Sequence, residues 1–152
     1  QKYNLEKNII MLGFCDNPFW YNAHADSFIL PSMYEGYPCA LAEAVCCGVP
    51  CITTDFHSGA REIIAPDLDV TGERVTDISE EKYGILIPVC SGKMYRDNEP
   101  LEMEEQKMAE AITMLLGDYE KRQHYKRKSI ERSKDLDIKS IVGEWIDLIS
   151  KR

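Results

Sequence analysis

No stretch of this chain is apolar for long enough to cross a bilayer as a helix, which takes about 20 residues. No internal repeat or low-complexity tract is present, so solenoid and fibrous architectures are excluded. Positive charge is in the minority: 18 Lys and Arg stand against 26 Asp and Glu, for a net charge of −8. A surface that follows nucleic-acid phosphates is basic, so nucleic acid is not an expected partner. The six cysteines (Cys15, Cys39, Cys46, Cys47, Cys51 and Cys90) have neither zinc-ribbon nor CxxC spacing. Most lie in apolar or small-residue runs, where a free thiol packs as a small buried hydrophobe. They read as reduced cysteines, and a cytosolic setting is expected.

A length of 152 residues suits one domain, and 44% hydrophobic residues is ordinary for a globular protein. The chain opens on Gln1 rather than Met, and it is expected to be a piece of a longer protein. One charge cluster runs against the acidic trend: Lys121, Arg122, Lys126, Arg127, Lys128, Arg132 and Lys134. It suits a solvated helix face, or a surface that touches anionic lipid.

Strand-like and helix-like runs alternate. Asn8–Phe14 reads as a buried strand, followed by a short helix over Phe19–Ala25. Ser27–Leu30 is a second strand. A loop from Pro31 to Cys39 leads into a helix over Ala40–Cys47, closed by Gly48 and followed by Pro50. Cys51–Thr54 and Tyr83–Val89 read as further strands, with a short helix over Ala60–Ile64. Pro66–Lys82 is a polar connection with room for a short edge strand, and Ser91–Glu99 is a loop. Three helices are expected at the end, over Leu101–Leu116, Tyr119–Ser133 and Ile138–Ile149. This order predicts an α/β fold with a parallel sheet, whose ligands bind beyond the carboxyl ends of the strands.

The most telling segment is Glu35-Gly-Tyr-Pro-Cys-Ala-Leu-Ala-Glu43. Two acids bracket a turn that leaves a strand and opens a helix. Free N–H groups at such a helix head, together with the helix dipole, favour an anion. With Asn8–Phe14, Leu30-Pro-Ser32, Cys47-Gly-Val-Pro50, Thr54-Asp55, Ser58-Gly59 and Arg61-Glu62 in the same order, the segment resembles the E-x7-E signature of retaining glycosyltransferases of the GT-B fold, family four in particular.

That resemblance implies a Rossmann-like parallel sheet with flanking helices, part of the C-terminal, donor-binding domain of a GT-B enzyme, over residues 1–152. Two upstream strand–helix units and the N-terminal acceptor domain would precede it. Glu43 would hold the ribose hydroxyls. Glu35 would reach the donor hexose as the catalytic acid residue. Gly36, Tyr37, Pro38, Cys39, Ala40 and Leu41 would meet the sugar and diphosphate. Gly13, Phe14 and Cys15 would lie against the base. Transfer would proceed on the front face, through stabilisation of the leaving phosphate and an oxocarbenium-like sugar. No metal or cofactor is expected; Asp67-Leu-Asp69 and Asp135-Leu-Asp137 read as solvated turns.

The implied substrate is a nucleotide-diphosphate hexose or N-acetylhexosamine, with UDP favoured. The implied acceptor is a glycan or lipid-linked glycan in bacterial surface polysaccharide synthesis, with peripheral contact at the inner face of the membrane as a further expectation. The expected piece alone would be inactive. Alternatives are a non-catalytic nucleotide-sugar-binding module, a GT-B enzyme using ADP- or GDP-sugar, and an epimerase of similar fold. Arg61 suits an ion pair at a helix start, or a phosphate contact. His57 and Tyr21 stand near the expected site.

Overall fold

The computed structural model describes residues 5–94 and 99–151. Its sheet has the order β1-β2-β4-β3, built from β1 (Phe28–Leu30), β2 (Cys51–Thr54), β3 (Ser79–Glu80) and β4 (Ile85–Ile87). The first three neighbours in space are parallel, with Ile29 opposite Ile52 and Thr53 opposite Leu86. The two-residue β3 pairs antiparallel with β4. It is the short edge strand for which the Pro66–Lys82 connection left room.

Every residue of β2 and β4 is buried. Such strands are covered on both faces and read as continuous apolar runs. Helices α2 (Cys39–Cys46) and α3 (Ala60–Ile64) pack Leu41, Val45, Ile63 and Ile64 on one face, with Leu86 of β4. On the other face Ile52, Ile85 and Ile87 meet Ala111 and Leu115 of α4 (Met103–Gly117) and Tyr125 of α5 (Tyr119–Ser133).

Helix α2 ends as its sequence dictates. Gly48 takes φ 74°, its N–H donates to the Val45 carbonyl at 2.9 Å, and the Val49 N–H donates to the Ala44 carbonyl at 3.3 Å. This is the Schellman arrangement, in which a left-handed glycine satisfies the last carbonyls. Helix α5 starts on Asp118, whose carboxylate accepts the Lys121 N–H at 2.9 Å. It then braces the loop after α2 and two other elements, α3 and β3. Ser129 donates to the Val49 carbonyl at 2.9 Å, Arg132 donates Nε–H to the Ile63 carbonyl at 3.0 Å, and Lys121 pairs with Glu80 of β3 at 2.6 Å. Several cations of the basic cluster are therefore spent inside the molecule, since Lys128 also pairs with Glu131 and Arg132 with Asp135.

Two expectations are corrected. Asn8–Phe14 is not a strand: it is irregular, and Ile10, Met11 and Phe14 are largely exposed. A strand needs a neighbour to take its N–H and C=O groups, and among the described residues no strand lies beside this segment. The cysteines also differ from a buried set. Cys51 is buried, but Cys39 and Cys46 are exposed and the other three are half-buried. The remaining elements stand within a few residues of expectation, including α1 (Pro18–His24) and α6 (Ile138–Ser150). The apolar face expected on α6 exists, but none of its residues is buried. The loop expected over Ser91–Glu99 lies partly outside the described residues. No helix among the described residues is long and apolar enough to cross a membrane.

Candidate functional site

The sheet brings the loops after β1 and β2 together at its carboxyl edge. Thr53 at the end of β2 donates its hydroxyl to the Leu30 carbonyl at 3.1 Å, and Thr54 donates to the carbonyl of Ser32. A threonine in a fully buried strand must find an acceptor. Here that need ties β2 to the start of the Glu35 turn.

Glu35 is half-buried, and its Oε1 accepts the Ser32 hydroxyl at 2.9 Å. Gly36 and Tyr37 are exposed, and the space around Gly36 is open. Pro38 is buried and precedes α2 with φ −77° and ψ 84°; across it the Cys39 N–H turns back to the Tyr37 carbonyl at 2.9 Å. This is an inverse γ-turn, common where a loop begins. The Leu41 N–H donates to the Pro38 carbonyl at 3.0 Å. The N–H groups of Cys39 and Leu41 are therefore used internally, contrary to expectation. Those of Gly36, Tyr37 and Ala40 engage no partner among the described hydrogen bonds. They are the donors this turn offers to a ligand.

Glu43 is half-buried on α2, and no hydrogen bond or ion pair engages its carboxylate among the described residues. Leu41 is in the core, where it fixes α2 against the sheet. Burial raises the Tyr37 phenol above its ordinary value, although the nearby Arg132 charge pulls the other way.

Gly13, Phe14 and Cys15 lie in the irregular segment that precedes α1. Gly13 has φ 66° with open space around it, and Phe14 is 94% exposed. Tyr21 on α1 lies edge-on to Trp20 at 5.2 Å, and His24 stacks on the same indole.

The residues that sequence reasoning undervalued surround Asp55. This carboxylate is fully buried and accepts Nε–H of Arg61 at 2.8 Å, Nη2–H of Arg61 at 2.7 Å, Nη1–H of Arg74 at 3.2 Å and the Val75 N–H at 2.9 Å. Burial pushes the Asp55 carboxyl up, but the Arg61 hydrogen bonds, the Val75 N–H and the charges of Arg61 and Arg74 outweigh it and hold it below the usual carboxylate range. Arg61 thus takes the ion pair expected of it, and its guanidinium is not free for a phosphate. The available signal was an Asp directly after a strand with an Arg six positions on. Nothing in the local pattern pointed to Arg74.

His57 Nδ1 lies 3.4 Å from Arg74 Nη2. Met33, Asp55, His57 and Arg74 line a recess of about 380 Å³ beside the turn. Asp69 binds the Thr71 N–H and hydroxyl at 2.8 Å each, and Asp137 caps α6, as solvated turns do. No cluster able to hold a metal is found among the described residues.

Comparison with known proteins identifies the family and the fold. The chain is 35% identical over 151 residues to an uncharacterized glycosyltransferase of Methanocaldococcus jannaschii, covering 97% of this chain and 37% of that protein. It is 30% identical over 137 residues to the N-acetylgalactosamine-N,N'-diacetylbacillosaminyl-diphospho-undecaprenol 4-alpha-N-acetylgalactosaminyltransferase of Campylobacter jejuni, covering 90% and 30%. The chain thus spans about a third of the length of these relatives. Sucrose-phosphate synthase from Thermosynechococcus elongatus shares the fold, with TM-score 0.72 and 22% identity over 99% of this chain and 32% of that one. The model of the family described as glycosyl transferases group 1 matches residues 1–82, more than half of the sequence. The chain belongs to the glycosyl transferases group 1 family.

Proposed function

We propose that this chain forms the donor side of a retaining glycosyltransferase that uses a nucleotide-diphosphate sugar. The donor carries a hexose or N-acetylhexosamine, with UDP as the favoured nucleotide. The acceptor is a glycan or a lipid-linked glycan of a surface polysaccharide. The observation that carries this reading is the Glu35 turn: a half-buried carboxylate and three uncommitted N–H groups stand at the carboxyl edge of a parallel sheet.

In this reading Glu43 accepts hydrogen bonds from the ribose diol. Each is worth about 1.5–3 kcal/mol, because the acceptor is charged. The Ala40 N–H at the head of α2 meets diphosphate, where the helix dipole favours negative charge. The Gly36 and Tyr37 N–H groups meet hydroxyls of the transferring sugar. Glu35 faces the hexose and supports positive charge developing at the anomeric carbon. Undecaprenol-linked and lipopolysaccharide acceptors in the names of relatives support the acceptor class. The donor needs no metal in this scheme.

The test is calorimetric titration with UDP, GDP and ADP, repeated with Glu43→Ala. One nucleotide should bind, and the substitution should weaken it by about 1.5–3 kcal/mol. Binding of GDP or ADP in place of UDP changes the donor class. Unaltered affinity in Glu43→Ala removes the ribose from Glu43. Tight binding by a full-length protein that transfers no sugar from any donor would favour a nucleotide-sugar-binding module.

A further inference from the structure

The Glu35 turn is gripped from behind by a loop to which the donor reading gives no task. Residues 55–61 leave β2 and enter α3. The two ends of this loop are cross-braced by the buried Asp55–Arg61 pair, through hydrogen bonds of 2.8 and 2.7 Å. Between the braced ends, Ser58 and Gly59 form a tip that presses on the turn. The Ser58 hydroxyl lies 2.8 Å from the Gly36 carbonyl oxygen and 3.1 Å from that of Glu35.

A Cβ at Gly59 would stand 2.2 Å from Pro38 Cδ and 3.0 Å from the Gly36 carbonyl, so only glycine permits this approach. Both tip residues are left-handed, with φ 79° at Ser58 and 73° at Gly59. The Ala60 N–H reaches back to the Ser58 carbonyl at 2.8 Å, closing a γ-turn of the rare strained kind around Gly59. Among the described residues Ser58 is the sole non-glycine with positive φ. Such strain persists where the surroundings over-determine it.

The geometry has a directional consequence. A trans peptide holds its C=O and its N–H in one plane, pointing in opposite directions. The Glu35 carbonyl shares a plane with the Gly36 N–H, and the Gly36 carbonyl shares one with the Tyr37 N–H. Ser58 draws both carbonyls toward itself. Both N–H groups therefore project away from the loop, toward the open side of the turn. Adjacent N–H groups aimed the same way make an oxygen-binding concavity. The Glu35 carboxylate is set from the other flank, by the Ser32 hydroxyl whose backbone carbonyl is held by Thr54.

We propose that Ser58, seated on Gly59 and the Asp55–Arg61 brace, is a positioning residue that aims the Gly36 and Tyr37 N–H groups at the transferring sugar and fixes the backbone from which the Glu35 carboxylate reaches it. This role rests on the donor-site reading above. Ser58 touches no substrate; it acts through the turn.

The experiment compares the full-length protein with Ser58→Ala, Glu35→Gln and the double variant. Release of UDP from UDP-glucose, UDP-galactose, UDP-N-acetylglucosamine and UDP-N-acetylgalactosamine gives kcat and KM for the best donor, and calorimetry gives UDP affinity. Ser58→Ala should lower kcat about tenfold or more, as loss of alignment at a reacting centre does. UDP affinity should stay within about twofold, because the nucleotide is held elsewhere. In the Glu35→Gln background the same substitution should change kcat by much less.

An unchanged kcat in Ser58→Ala overturns the proposal. So does an equal fall in both backgrounds, or a parallel loss of UDP affinity, which marks a structural role. If the unsubstituted protein neither binds UDP, GDP or ADP nor releases nucleotide from any donor, the donor-site reading itself fails, and this role with it.

Discussion

Replacing Asp55 by Asn tests how the carboxyl edge of the sheet is held. Asn keeps the shape of the side chain but turns an NH2 group toward donors. The buried carboxylate accepts two hydrogen bonds from Arg61, one from Arg74 and one from the Val75 N–H. About half of these acceptor contacts are lost, and the Arg61 guanidinium, 3% exposed, keeps its charge without a counterion. Breaking a buried pair by removing one partner costs about 3–5 kcal/mol. With a urea slope of about 2 kcal/mol/M, the unfolding midpoint should fall by roughly 1.5–2.5 M at pH 7.

A pH series sharpens the test. The folded state holds the Asp55 carboxyl below its ordinary value, so folding disfavours that proton. The stabilisation is complete above the unfolded value, about 3.9, and is lost as pH falls through the lower folded value. The gap between the parent protein and Asp55→Asn should therefore be widest near neutrality and close below about pH 4. A gap under about 1 kcal/mol at pH 7, or one that persists undiminished at pH 2.5, refutes the reasoning.

Other substitutions probe other joints. Gly59→Ala forces a methyl onto Pro38 and a left-handed alanine. It should cost about 2–4 kcal/mol in urea unfolding, and a change below 0.5 kcal/mol would mean the loop yields freely. Ser129→Ala removes the only hydroxyl described on the buried Val49 carbonyl; a loss of about 1–3 kcal/mol is expected, with exposed Ser150→Ala as the control. Native-state alkylation at pH 8, followed by mass spectrometry, should label exposed Cys39 well before Cys51, whose thiol burial holds far above its ordinary range. Equal rates would show that the β2 core opens readily.

The sequence exposed the centre of the fold more clearly than its rims. Cys51–Thr54, rich in β-branched residues, is bounded by Pro50 and a polar loop and forms the strand expected of it; α3 and α5 also stand over the residues expected. Gly48 marked the end of α2 because only a left-handed residue can close it. Asn8–Phe14 misled because strand character is local but pairing is not. Ile9, Ile10 and Leu12 read as buried, yet all three are exposed, and no strand lies beside them among the described residues. At the candidate site, the placing of Glu35 and Gly36 in the turn before α2 and of Glu43 on α2 was legible. The N–H groups of Cys39 and Leu41 were not, since only the backbone path through Pro38 shows that they are used. Arg74 was also invisible: it reaches Asp55 across 19 positions, a distance over which local pattern carries no signal.

The bracing by α5 bears on the order in which the chain can fold during synthesis. Ser129 meets Val49 across 80 positions and Arg132 meets Ile63 across 69. At about 5–20 residues per second, a ribosome needs several seconds to make the stretch between such partners. Until α4 and α5 emerge, Ile52, Ile85 and Ile87 form a bare apolar face on a sheet that is otherwise ready to form. The nascent protein therefore passes through a window in which the larger of its two core clusters can assemble while the smaller is open.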